Sequence, residues 1–150
     1  MEEVLRSFWK RSMLGFCRSM FSLDLGHRNA EEALKRTWRE FGAFAAEALK
    51  DGSAEATPRA AAELDRKLAE LLGARVTVIP RGEDEVLSCW EACPLWEETK
   101  KLWLQKAFTC VGACDELSAE LARAVGEGVE FERGSQLPKG QPCEKIWRRR

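Results

Sequence analysis

The hydrophobic periodicity of this 150-residue chain changes at Gly73, and that change limits the fold more than any other feature. Before Gly73, apolar side chains recur every three to four residues; after it, short runs alternate every second residue. The first spacing gathers apolar side chains on one face of a helix, the second on one face of a strand. A chain that carries both must pack helices on a sheet.

The helical part covers residues 1–73. A first helix is expected from about Glu3 to Met20, with Leu5, Trp9, Met13, Phe16 and Met20 as its stripe and Cys17 beside it. Gly26-His27-Arg28 breaks the pattern, and Asn29 followed by Glu32 reads as a capping box. The second helix then runs to about Lys50, with Leu34, Trp38, Phe41, Ala45 and Leu49 inward and Asp51-Gly52 as its stop. Thr57-Pro58 opens a third helix, Thr as N-cap and Pro at the first helical position, with Leu64, Leu68, Leu71 and Leu72 inward.

Residues 74–150 read differently. Arg75–Ile79 is β-branched and alternating, Pro80–Asp84 is a turn, and Glu85 to Ser88 or Cys89 is the second strand of a hairpin. Pro94 biases Cys93 away from helical geometry. Helices follow over about Leu95–Gln105 and Cys110–Val125, then strands over Val129–Glu132 and Cys143–Trp147. The expected fold is one α+β domain of order ααα-ββ-αα-ββ, with helices packed on a small, mainly antiparallel four-stranded sheet.

Formal net charge is −1, which gives no bulk attraction to nucleic acid or acidic membrane. Arg148-Arg149-Arg150, the only basic run, reads as a solvated terminus. No basic segment leads into an apolar run at the N-terminus, and no stretch reaches the roughly 18 apolar residues that span a bilayer. A cytoplasmic location is expected, where thiols stay reduced. Six cysteines are then metal ligands, reactive thiols or buried small hydrophobes rather than a disulfide framework.

Five of the six fall late: Cys89, Cys93, Cys110, Cys114 and Cys143. Cys89 and Cys93 flank the end of a strand, Cys110 and Cys114 are one helical turn apart, and Cys143 opens the last strand. Thiolates suit zinc, copper(I) and iron–sulfur centres, and two Cys-x3-Cys pairs plus one more can supply four ligands. A nucleophilic cysteine is the competing reading, since Cys110 or Cys114 near a helix N-terminus has the setting that activates a thiol. His27 is the only imidazole, in a loop far away in sequence. Burial as inert core thiols remains the third reading. Glu130 and Glu132 read as a solvated strand face. No Gly-rich phosphate loop, nucleophile elbow or His-Glu-x2-His motif is present.

Several segments resemble the L-2-amino-thiazoline-4-carboxylic acid hydrolase-like family. They are Cys93-Pro94, Cys110-Val111-Gly112-Ala113-Cys114-Asp115, Phe131-Glu132-Arg133 and Leu137-Pro138-Lys139-Gly140-Gln141-Pro142-Cys143. The ending is also similar, more distantly, to V4R small-ligand domains, which place several helices around a small antiparallel sheet. The resemblance covers the last third to two fifths of the chain. It implies a metal- or small-ligand-binding domain, with hydrolytic opening of a small sulfur heterocycle at a C–N or C–S bond as its activity. The ligand set it implies is Cys93, Cys110, Cys114 and Cys143, with Cys89 in reserve, and zinc as the metal or an iron–sulfur cluster instead. The ending Glu144-Lys145-Ile146-Trp147-Arg148 is more basic than the family's aromatic-and-acidic one. The alternatives are a metal-free V4R-like ligand or sensor domain with a reactive thiol such as Cys114, and an interaction module using Trp9 and Trp38. The expected partners are a small-molecule ligand or substrate and a second copy in a homodimer, not nucleic acid or membrane.

Overall fold

A computed structural model describes residues 27–50, 55–101, 110–135 and 141–150. Helix α1 (His27–Leu49) and helix α2 (Pro58–Leu71) precede strands β1 (Arg75–Pro80) and β2 (Glu85–Ala92). Helix α3 (Pro94–Lys101), a π-turn (Cys110–Cys114), helix α4 (Asp115–Val125) and strands β3 (Val129–Arg133) and β4 (Cys143–Arg149) complete the order. The four strands form one antiparallel sheet, β1-β2-β4-β3. The α+β class and the helices-then-strand-pairs order are those expected. The helix expected at 3–20, with Trp9 and Cys17, and the Asp51-Gly52 stop lie outside the described residues.

Local chemistry accounts for the borders of α2. Thr57 is extended (φ −131°, ψ 153°) and its hydroxyl accepts the Ala60 N–H, while Pro58 has no N–H to leave unpaired. At the other end Gly73 takes φ 74°. The Gly73 N–H then reaches Glu70 O at 2.9 Å and the Ala74 N–H reaches Ala69 O at 2.8 Å, which closes a Schellman motif. Leu64, Leu68 and Leu72 are buried as expected, but Leu71 is 45% exposed because it falls off the Leu64–Leu68–Leu72 row. Helix α1 starts at His27, so Asn29 lies inside the first turn rather than capping it. Trp38 is buried at 2% exposure, which removes it as an exposed docking residue. Helix α1 packs mainly on α4. The two backbones meet at Gly42, where a Cβ would lie 2.9 Å from Leu117 O.

Strand pairing overrides several sequence borders. Strand β2 continues to Ala92 because it is held on both sides, by β1 (Val76↔Trp90) and by β4 (Trp90↔Cys143). Strand β4 runs through Arg149 instead of stopping at Trp147. Its arginines are anchored: Arg148 to Glu85 and Glu132, and Arg150 to Glu130. Arg148 and Arg149 thus belong to the sheet while all three arginines stay exposed, as expected of a solvated run, and Glu130 and Glu132 lie on the exposed face as expected.

Register fixes the two faces of the sheet. Val86, Ser88 and Trp90 from β2 lie beside Trp147, Lys145 and Cys143 from β4, and Phe131 and Arg133 from β3 continue the same rows. This face meets the helices and contains the core. Within it sit two polar pairs. Trp147 Nε1 donates to Ser88 Oγ at 2.9 Å, and Lys145 Nζ lies 2.5 Å from Asp65 Oδ1 of α2. The Lys145 and Asp65 side chains are 1% and 0% exposed. Trp90 Nε1 donates to Asp65 Oδ2 at 2.8 Å, and the Lys145 ammonium sits 4.2 Å from the Trp90 ring centroid. The carboxylate is thus paired at both oxygens and the ammonium rests on an aromatic face, which offsets the cost of burying both charges. No helix among the described residues is long and apolar enough to cross a membrane.

This buried pair gives a direct test of packing energetics. Lys145→Met alone leaves the buried Asp65 carboxylate without its counter-charge and is expected to cost about 3–5 kcal/mol in urea unfolding. Asp65→Asn with Lys145→Met, which keeps an acceptor for Trp90, is expected to recover most of that loss. A double variant no more stable than the single would refute the charge argument.

Candidate functional site

Three cysteines converge where the helix-facing sheet meets the start of α4. Cys143 opens β4 beside Trp90 and is 8% exposed. Cys114 closes the π-turn at the N-terminal end of α4 and is partly exposed. Cys93 follows β2, partly exposed and packed against the core. The sequence expectation of an α-helix from Cys110 is corrected here. Cys110–Cys114 is a π-turn with Gly112 at φ 111°, and α-helical geometry begins at Asp115. A π-turn is wider than an α-turn, so the one-turn α-helical spacing expected for this segment does not hold for its backbone. The side chain of Cys110 and that of His27 lie outside the description. Cys89 falls on the other side: it pairs with Thr77 and Glu144 on the face away from the helices. The sheet therefore separates its sulfur from that of Cys143. Burial, then Glu144 and Glu91, push the Cys89 thiol above its ordinary range.

Arg133 organises the thiols. Its Nη1 lies 2.8 Å from Cys143 Sγ, and the nearby Cys114 sulfur favours the same charge. Its Nε donates to Asp115 Oδ1 at 2.7 Å, and its Nη2 pairs with the same oxygen. Only 10% of the Arg133 side chain is exposed. Burial opposes its charge, but the sulfurs of Cys114 and Cys143 and the Asp115 carboxylate outweigh burial and hold it above its usual range. The backbone beyond β3 keeps this strand in place: Gly134 N–H donates to Glu144 O and Glu144 N–H to Ser135 O, both at 3.0 Å.

Lys145 stands directly across from Arg133 on the same face. Burial works against the Lys145 charge, while Asp65, Cys114 and Cys143 favour it and raise its pKa overall. Burial and the neighbouring Cys114 push the Cys143 thiol up to about 11, with Arg133 and Lys145 pulling the other way and Cys93 adding to the rise. Cys143 is thus a thiol at neutral pH, held among two cations and two other sulfurs.

The described residues do not by themselves fit a metal ion. No group of three or more His, Cys, Asp or Glu among them is placed to hold one. Arg133 and Lys145 already supply positive charge to the Cys143 sulfur. Sequence reasoning found the three cysteines but missed Arg133, Asp115, Lys145 and Asp65 as their partners. Strand parity was the available signal: Arg133 alternates in phase with Phe131, and Lys145 with Cys143 and Trp147.

No family model matches the chain, and no curated protein shows significant similarity to it. Among solved structures it is similar to a trafficking protein particle complex subunit 3 from Naegleria fowleri, covalently bound to palmitic acid. The TM-score is 0.66 at 12% identity, over 99% of this chain and 96% of that one. At that identity the likeness shows a shared fold.

The raised Cys143 pKa fixes the sign of a pH effect. A proton held more tightly in the folded state stabilises it below the unfolded thiol value, and that contribution is lost as pH rises through the folded value. Stability is therefore expected to fall between pH 9.0 and about 11. Cys143→Ala is expected to flatten that part of the urea-midpoint profile; an unchanged slope would contradict the assignment.

Proposed function

We propose that this chain is a small-ligand-binding domain that captures its ligand covalently through Cys114. The observation that carries the reading is one buried guanidinium, Arg133, bonded to the buried Cys143 sulfur and to Asp115, the residue next to the more open Cys114. Reactive cysteines occupy electropositive, partly open places near helix N-termini, and Cys114 has all three properties. Cys143 is more deeply buried and keeps its proton, so it backs the site rather than opening it. Asp115 fixes the guanidinium from the open side and Lys145 adds charge from the closed side.

A covalently held acyl group is the ligand chemistry this reading favours. The fold neighbour holds palmitic acid covalently, which supports the scaffold as one that accommodates a thiol-linked or otherwise bonded acyl chain. In the corresponding step the Cys114 thiolate attacks a thioester carbonyl, a new thioester forms, and the donor thiol leaves with the proton. The reading competes with zinc or iron–sulfur ligation by Cys93, Cys110, Cys114 and Cys143, and with hydrolysis of a sulfur heterocycle. No group of three or more His, Cys, Asp or Glu among the described residues is placed to hold a metal.

Incubation with palmitoyl-coenzyme A, followed by intact-mass analysis and peptide mapping, tests it. One palmitoyl group on Cys114 is expected, released by hydroxylamine and absent in Cys114→Ser. Arg133→Gln is expected to slow acylation at least about tenfold, the equivalent of one charge-assisted hydrogen bond. Acylation spread evenly over several cysteines, or stoichiometric metal with the late thiols protected in the purified protein, would overturn the reading.

A further inference from the structure

We propose that Cys114 and Cys143 form a reversible dithiol–disulfide pair that closes the ligand thiol to its ligand. The inference rests on the reading that Cys114 is that thiol. Its own basis is geometric. One guanidinium links the two: Arg133 Nη1 lies 2.8 Å from Cys143 Sγ, and its Nε donates at 2.7 Å to Oδ1 of Asp115, the residue next to Cys114. They come from elements far apart in sequence, the π-turn and the start of β4, which the fold brings together at Arg133. Their exposures differ in the way an attacking and a resolving thiol require. Cys114 is partly open to a small reagent, whereas Cys143 is 8% exposed and reachable mainly from Cys114. Cys114 and Cys143 are both free thiols, so the pair starts reduced.

The charges around the pair set the direction of its poise. Cys143 is faced by Arg133 from β3, Lys145 from its own strand, Asp65 from α2 through Lys145, Asp115 from α4 through Arg133, and the Cys93 and Cys114 sulfurs. Arg133 and Lys145 interact better with polar or ionised sulfur than with a neutral S–S bond. They stabilise the reduced form, so the bridge is an easily reversed one rather than a structural brace.

The oxidant is a small disulfide. The Cys114 thiolate attacks one of its sulfurs; the S–S bond breaks, a mixed disulfide forms and one small thiol leaves. Cys143 then loses its proton and attacks Cys114 Sγ. The internal bridge forms and the second small thiol leaves. The protein has lost two electrons and two protons, and the small disulfide has been reduced to two thiols. Cys114 no longer has a free sulfur, and acyl capture stops.

The test uses the full chain, reduced and then equilibrated with oxidised glutathione, followed by alkylation, intact mass and non-reducing peptide mapping. The expected result is the loss of two titratable thiols and a Cys114–Cys143 crosslinked peptide, both reversed by excess reduced glutathione. Cys143→Ser is expected to stop at a stable glutathione adduct on Cys114. A bridge from Cys114 to Cys93 or Cys110, or a wild-type protein that keeps the glutathione adduct, would overturn the pairing. The acylation test fails separately: wild-type protein that bridges but is never acylated on Cys114 overturns the gating role.

Discussion

A buried ammonium, Lys145, sits at the point on which the rest of the architecture depends. It lies on the helix-facing side of β4, and water cannot reach it. Such a charge is tolerated only with a full set of partners. Asp65 supplies the counter-charge from α2, Trp90 supplies a ring face from β2, and the neighbouring sulfurs supply polarisable acceptors. Each of these comes from a different element. Docking α2 on the sheet, setting the β2–β4 register and placing Cys143 beside Trp90 are therefore one requirement.

Much of this scaffold is legible in the sequence. Thr57-Pro58 and Gly73 bracket α2 by local rules that need no tertiary context. The alternation of Val76 and Val78, and of Phe131 with its acidic neighbours, identifies strands and their faces. What escapes is set by long-range pairing. β2 runs past Cys89 because Trp90 is flanked on both sides, a fact that no local window contains. That extension moves Cys89 onto the outer face and away from the other thiols. The π-turn at Cys110–Cys114 escapes too, because its residues also suit an α-helix and only Gly112 hints at the irregularity.

The charged members of the site were hidden by a sound prior. Lysine, arginine and aspartate usually face water, so residue type alone does not mark Lys145, Arg133 and Asp65 as interior. Their phase says otherwise. Lys145 shares its parity with Cys143 and Trp147, and Asp65 lies among Ala61, Ala62, Leu64, Leu68 and Ala69, all buried. A charge in phase with a core row is either an error of register or a paired interior charge, and here two independent elements carry the matching carboxylates.

Those carboxylates explain an arrangement that a sheet alone would reject. Arg133 and Lys145 are directly opposed across β3 and β4, and like charges in that relation repel. The repulsion is relieved because the two side chains answer to different helices: Arg133 turns to Asp115 at the head of α4, Lys145 to Asp65 within α2. The sulfurs of Cys114 and Cys143 interact with both cations. Two cations and two carboxylates cancel, so the cluster is neutral while its sulfurs keep their protons. Such a site is sensitive to whatever reacts with its sulfur, and the same residues hold helices to sheet. A covalent change at Cys114 would therefore act on the contact between α4 and the strands, not on a detached surface loop.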